Sequence, residues 1–265
     1  MQEDENRDFV TALARGLEVI RAFSAQAPEM TLSEIAAHTG LSPATVRRAL
    51  ITLEQLGYVA RLQKRFLLTA KVLTLGASYF DSMNIKEVAQ SQLAELVQQT
   101  HGASSLTVLD GMEVVYIAHV PSQQRIRHGR SAGSRLPAYA TSTGLVLLAH
   151  ASQARRDALL ASAPLPAYTS RTPVQADDLR ARLARIPKDG YCIACDTIEY
   201  GAIAIAVPVR DGQGRVVAAL NSASTTTLVD EQTIIEHQLA PLQECARKIG
   251  AMLERYPALA HSVLP

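Results

Sequence analysis

The stretch from Thr31 to Pro43 constrains this chain more than any other. Thr31 and Glu34 have the spacing of a capping box, in which an N-cap hydroxyl and an acid three residues on each satisfy a backbone N–H at a helix start. Leu32, Ile35 and Ala36 begin a short helix, and Gly40 stops it. Ser42 then stands at an N-cap, and Pro43 takes the first helical position, where its missing N–H costs nothing. The helix that follows runs to about Leu56, just before Gly57. Two short helices joined by a turn of about three residues make a helix-turn-helix.

What flanks this motif sharpens it. Upstream, Val10, Leu13, Leu17, Ile20 and Phe23 share one face of a helix over Phe9 to Phe23. On the helix after Pro43, Val46, Ala49, Leu50 and Leu53 share one side, while Ala44, Arg47, Arg48, Ile51 and Gln55 lie opposite. Downstream, Tyr58–Leu62 and Arg65–Leu68 read as a hairpin around Gln63-Lys64. The whole chain has 26 Lys plus Arg against 25 Asp plus Glu, which excludes a protein that holds nucleic acid by bulk charge. Charge is instead local: between Ser42 and Lys71 six basic residues face one acid, Glu54. Three helices and a basic hairpin predict a winged helix-turn-helix over residues 8–69 that binds double-stranded DNA. Thr45, Arg47 and Arg48 are the candidates for base contact, Ser42 and Ala44 for the adjacent backbone, and Arg61, Lys64 and Arg65 in the wing for flanking phosphates. The plain alternative is a solvated surface helix; the caps, the short turn and the hairpin, in that order, weigh against it.

Residues 70–83 read as a linker helix, and residues 84–257 as a second domain. A helix ends near His101. SSLTVLD and EVVYIAHV form a hairpin, with a third strand expected near Arg125 to Arg130 and a helix over Ser142 to His150. GYCIAC, GAIAIAVPVR and RVVAALNSAS return to strand, and an amphipathic helix runs from Asp230 to about Arg255. Hairpins with separated helices predict an α+β fold with an antiparallel sheet. The absence of Trp and the 5% aromatic content argue against a base-stacking or sugar-stacking sheet. No apolar run is long enough to span a membrane, and the acidic start predicts no secretory leader, so the three Cys read as reduced thiols in a cytoplasmic protein.

Several motifs mimic chemistry. Cys192 and Cys195 form a lone Cys-x-x-Cys with opposite facing in a strand, short of the four ligands of a closed zinc site. A thiol redox sensor is kept as an alternative. Gly129-Arg-Ser131-Ala-Gly133 matches a nucleophile elbow, with Asp196 and His237 following in hydrolase order, but it runs into SRLP and not into a helix. Gly212 and Gly214 lack a third glycine and a following helix. The reading is therefore a non-enzyme with no catalytic residue, metal or cofactor.

FVTALARGLEVIRAF, LSEIAAHTGLSPATVRRALITLEQLGYV, LTAKVLTLGASYF, GSRLPAYATSTGLVLLA and AIAVPVRDGQGRVVAALN together resemble the IclR family of bacterial transcriptional regulators, from Phe9 to about Arg255. RDFVTALARGLEVI and GSRLPAY are most similar to its regulators of aromatic-acid catabolism, those of protocatechuate, 4-hydroxybenzoate and β-ketoadipate. The resemblance implies a GAF-like effector domain, a dimer through the N-terminal parts, a tetramer as a dimer of dimers, and a pseudo-palindromic operator. Where family wings often turn on Gly, this one turns on Gln63-Lys64.

The resemblance also places a small-molecule pocket on one face of the second domain's sheet, beside the helix that follows the Leu-Pro loop. In this sequence that region is Tyr139, Thr141, Ser142, Thr143 and Gly144, with His128 on the preceding strand, Ala194, Ala202 and Ala204 on later strands, and Asn221 and Ala223 on the last. Unpaired N–H groups at a helix start favour a carboxylate, and the alanines leave space for an aromatic ring. Arg125 and Arg127, on the opposite strand face from His128, are further candidates to pair with the acid. The expected effector is a small carboxylate, an aromatic acid such as 4-hydroxybenzoate or protocatechuate; a small aliphatic keto acid is the alternative within the family.

Overall fold

The computed structural model describes residues 8–24, 26–82, 89–122 and 130–253, and for residues 78–82 the backbone alone. The chain divides into two compact units, Met1–Ser82 and Met83–Pro265.

In the first unit α1 (Thr11–Arg21), α2 (Leu32–Thr39) and α3 (Pro43–Gln55) pack with a three-stranded antiparallel sheet of order β1-β3-β2, where β1 is Glu29–Thr31, β2 Val59–Leu62 and β3 Arg65–Leu68. The capping box forms at α2: the Thr31 N–H donates to Glu34 Oε2 at 2.7 Å, and the Glu34 N–H donates to Thr31 Oγ1 at 3.3 Å. Gly40 ends α2 in the left-handed conformation, φ +70°, which costs a residue without Cβ little. Ser42 Oγ accepts from the Thr45 N–H, with Pro43 in the first turn of α3. Val46, Leu50 and Leu53 of α3 are buried with Val19, Met30, Ile35 and Phe66. The stripe on α1 behaves differently from its spacing: Val19 is buried, but Val10, Leu13 and Leu17 stand 46–63% exposed because no element of this unit covers them. The short β1 strand, which extends the wing hairpin, has no alternating pattern to announce it. A 3₁₀ turn (Ala70–Val72) leads into α4 (Leu73–Ser82).

The second unit is built on a six-stranded antiparallel sheet of order β6-β5-β4-β9-β8-β7. Its strands are β4 Ala103–Asp110, β5 Glu113–Val120, β6 Arg135–Pro137, β7 Cys192–Cys195, β8 Ala202–Arg210 and β9 Val216–Thr225; the helices are α5 Ser91–Thr100, α6 Ser142–His150, α7 Gln153–Ala161, α8 Ala176–Asp189 and α9 Glu231–Leu253. Alternation along β9 sorts the two faces. Ser222 and Ser224 hydrogen-bond to Thr100 at the end of α5 and to Gln238 on α9, whereas Ala219 shares a buried cluster with α6 and α8. Asn221 and Ala223 therefore face the α6 side. The third strand of this sheet is β6, later than the run expected near Arg125 to Arg130: residues 123–129 lie outside the described residues, and Arg130 is in no strand. Gly144 allows the start of α6 to lie against the preceding 3₁₀ turn, Ala138–Ala140, since a Cβ there would collide with the Ala138 carbonyl.

Candidate functional site

On the first unit, α3 presents Ser42, Ala44, Arg47 and Arg48 as exposed residues, with Thr45 half-buried. Neither arginine has an ion pair or hydrogen bond among the described residues, so both guanidinium forks are free for guanine edges or phosphate. Ser42 Oγ lies 2.9 Å from Thr45 Oγ1, so Thr45 also belongs to the cap of the helix.

The wing differs from its sequence reading. Arg65 Nε sits 3.0 Å from Glu29 Oε1, and its terminal nitrogen sits 3.3 Å from Glu34 Oε2 and donates to the Glu29 carbonyl at 2.9 Å. It anchors β3 to β1 and to the start of α2, and two acids outside the basic stretch answer its charge. The Glu34 carboxyl is held below its usual range, first by the Thr31 backbone N–H and hydroxyl, with Arg65 adding to them. Arg61 Nε donates to the Gln63 carbonyl at 2.9 Å, with the guanidinium 5.7 Å from the Phe66 ring centre, which braces the turn where Gln63 adopts φ +56°. Lys71 Nζ donates to the Leu56 carbonyl at 2.8 Å and closes the end of α3. Lys64, at the tip, is exposed and without a partner among the described residues.

The second unit holds a cavity of about 420 Å³ on the α6 side of the sheet. Thr141, Ser142, Thr143, Ala194, Ala202, Ala204, Asn221 and Ala223 line it. Tyr139 and Gly144 do not. The Tyr139 hydroxyl points away and donates to the Pro166 carbonyl at 2.7 Å, and burial pushes that phenol up to about 12. The Gly144 N–H is taken by Thr141 Oγ1 at 3.1 Å, so its part is the tight turn and not a free donor. Arg125, Arg127 and His128 lie outside the described residues.

Sequence reasoning missed a polar cluster in this cavity. The Ser105 N–H donates to Asn221 Oδ1 at 3.0 Å, which directs the amide oxygen of this cavity-lining residue to β4. Ser105 Oγ lies 3.0 Å from His119 Nδ1 across the β4–β5 pair. Burial first, and then Arg130, lower the His119 pKa. Arg130 stands 3.7 Å from Glu199 Oε1, and both side chains are half-buried. Tyr116 also lines the cavity; burial raises its phenol, against the opposing pull of Arg130. The signal available for His119 was a polar residue inside an apolar strand, EVVYIAHV. Glu199 sits on the loop after β7 and had none.

That loop is clamped. Thr169 and Thr172 donate to the carbonyls of Asp196 and Thr197 at 2.5 and 2.7 Å, and Thr197 Oγ1 donates to the Ala140 carbonyl at 2.7 Å. At the start of α6, Thr143 Oγ1 is buried and has no partner among the described residues. The cavity thus pairs alanine walls with acid-free hydroxyls at a helix N-terminus and one ion pair, an arrangement suited to a flat acid.

The features that mimic catalysis do not assemble. Ser131 Oγ lies 3.3 Å from Ser134 Oγ, and Asp196 Oδ1 accepts from the Gly201 N–H at 2.6 Å; among the described residues neither bonds a histidine. Burial raises all three thiols, Cys192 and Cys245 to about 12, which disfavours thiolate chemistry. Among the described residues no group of His, Cys, Asp and Glu is arranged to hold a metal, and no helix is long and apolar enough to cross a membrane.

Comparison with known proteins agrees with this division. Residues 12–63 match the IclR helix-turn-helix domain, and residues 77–251 match the bacterial transcriptional regulator IclR C-terminal family. The Pca operon regulatory protein of Acinetobacter baylyi is 34% identical over 252 residues, 94% of this chain and 91% of that protein. The p-hydroxybenzoate hydroxylase transcriptional activator of the same organism is 36% identical over 253 residues, 94% and 93% of the two chains. An IclR homologue from Microbacterium hydrocarbonoxydans, solved with 4-hydroxybenzoate, superposes with a TM-score of 0.77 at 28% identity, covering 92% of this chain and 99% of that one. With the helix-turn-helix and the sheet domain both matched, this chain belongs to the IclR family of bacterial transcriptional regulators.

Proposed function

We propose that this protein is a one-component cytoplasmic regulator of aromatic-acid catabolism, whose operator binding responds to a hydroxybenzoate such as 4-hydroxybenzoate or protocatechuate. The observation that carries this reading is the cavity: alanines 194, 202, 204 and 223 leave about 420 Å³ beside the start of α6, room for a benzene ring with a carboxylate at the helix N-terminus. The regulators of p-hydroxybenzoate hydroxylase and of the pca operon, and the 4-hydroxybenzoate-bound homologue, support the same ligand class. The acid is assigned to Ser142 and Thr143, with Asn221 as a further donor. The protein works by binding and carries no catalysis or cofactor.

The division of labour is residues 8–69 for DNA, 70–83 as linker helix and 84–257 for the effector. Arg47 and Arg48 read bases, with Ser42, Ala44, Thr45 and Lys64 near the backbone and Arg61 and Arg65 shaping the wing. The exposed apolar face of Phe9, Val10, Leu13 and Leu17 supports pairing with a second copy on a pseudo-palindromic operator, with a dimer of dimers as the larger assembly.

A thermal-shift titration tests the effector: a ligand that binds only the folded state raises the melting temperature. A shift with hydroxybenzoates, and none with glyoxylate or pyruvate, is expected. A shift with the keto acids alone would move the protein to the aliphatic-acid branch of the family.

A further inference from the structure

We propose that the Arg130–Glu199 pair reads the ring hydroxyl of the effector, and that Glu199 sets the ligand's direction by keeping its carboxylate at the start of α6. This rests on the aromatic-acid reading above and adds to it the residues that discriminate among such acids.

The pair is stretched. At 3.7 Å from Glu199 Oε1, the Arg130 terminal nitrogen is beyond hydrogen-bond reach, yet both side chains are largely withdrawn from water, 24% and 19% exposed. A guanidinium has five donor hydrogens and a carboxylate about four acceptor sites, more than their mutual contact uses. A phenol hydroxyl is both donor and acceptor. Placed between them it donates to Glu199 and accepts from Arg130, and both bonds are charge-assisted.

A carboxylate in the same place would satisfy Arg130 but would bring two anions together. Glu199 is the sole Asp or Glu among the described lining residues. The start of α6 has no acid and offers the Ser142 hydroxyl, the partnerless buried Thr143 Oγ1 and the positive end of a helix. With the described residues alone, a hydroxybenzoate has one favourable direction. His119, with Nδ1 turned to Ser105 and its charge suppressed by burial, adds no second cation to reverse it. The hydroxyl clamp from Thr169, Thr172 and Thr197 holds the Glu199 loop before a ligand arrives, which lowers the ordering cost of binding.

Isothermal titration of the full-length protein with 4-hydroxybenzoate, benzoate and terephthalate tests this. Wild type should prefer 4-hydroxybenzoate to benzoate by roughly ten- to hundredfold, the scale of a hydrogen bond to a charged group. Glu199→Met should cut that preference to about threefold or less by weakening 4-hydroxybenzoate without weakening benzoate, whose carboxylate can then reach Arg130. Glu199→Gln keeps an acceptor and removes the charge, so it should retain most of the hydroxyl preference and admit terephthalate about tenfold more tightly. An unchanged preference in Glu199→Met overturns the proposal, and so does equal weakening of both monoacids, which marks a structural role. If Glu199→Met does not fold, terephthalate binding to Glu199→Gln decides, and no gain sinks the idea. A wild type that binds no hydroxybenzoate overturns the effector assignment as well; altered preference ratios concern this inference alone.

Discussion

The DNA-facing residues and the effector-facing residues are distributed in opposite ways. Ser42 to Arg48 occupy one cap and two turns of a single helix, and the arginines there stand free at the surface. The cavity takes its lining from strands, turns and loops between Ala103 and Ser224, and its groups reach one another through a six-stranded sheet. A site made by one helix face depends on that helix alone. A site made by many strands depends on the whole packing, so a change there acts on stability and binding together. The wing stands between these cases: its basic residues are local in sequence, but Arg65 is engaged by Glu29 and Glu34, which belong to another strand and another helix.

The sharpest test of the contrast is Gly144→Ala. Its methyl would meet the Ala138 carbonyl, and overpacking against backbone should destabilise the second unit by about 3 kcal/mol, seen as a lowered melting temperature with effector binding lost in parallel. Normal stability in that variant would break the idea that the cavity and its packing are one. Next in size, Arg48→Ala should weaken specific operator binding by about 1–3 kcal/mol in a gel-shift titration, with melting temperature and effector affinity unchanged. Equal operator affinity would remove Arg48 from the readout.

Within the wing the expected effects are smaller, and they differ in kind. Lys64→Ala should lower the slope of log affinity against log salt by about 1, the signature of one lost phosphate contact. Arg65→Ala should leave that slope alone and reduce stability by no more than about 1 kcal/mol, because its ion pairs are partly exposed. A lost salt-slope unit in Arg65→Ala would return that residue to the DNA surface.

The smallest expected effect is one of pH. His119 and His150, both in the second unit, have pKa values held below 6.5, chiefly by burial. The unfolded chain then takes up protons near pH 6.5 while the folded unit does not, so stability is full above that pH and falls as the pH drops toward the lowered folded values. His119→Gln should make the melting temperature less sensitive between pH 7 and 5.5; an identical pH profile would show that His119 is not held neutral.

The parts readable from sequence are those set by neighbours along the chain. The capping box at Thr31, the Ser42-Pro43 start of α3, its buried face of Val46, Leu50 and Leu53, and the span of α6 follow from local hydrogen bonding and from helical period. The alanines of the cavity and its Thr141–Thr143 rim were reached through family resemblance, since no spacing within the chain brings them together. His119 carried a weak signal as a polar residue in an apolar strand, and Glu199 carried none.

What the sequence by itself determined, then, is the order of elements, the helix-turn-helix, the arginine-bearing face of α3 and the family to which they belong. Tertiary structure alone decided which charges remain available and which groups face one another. Arg65 is tied down by a carbonyl and a carboxylate of Glu29, 36 residues away, and Arg130 meets Glu199 only because the fold brings their two loops to one cavity. Helix caps and faces arise from contacts a few residues apart, which local sequence encodes directly. Charge pairing and cavity shape depend on contacts across the sheet, which only the folded packing brings within range.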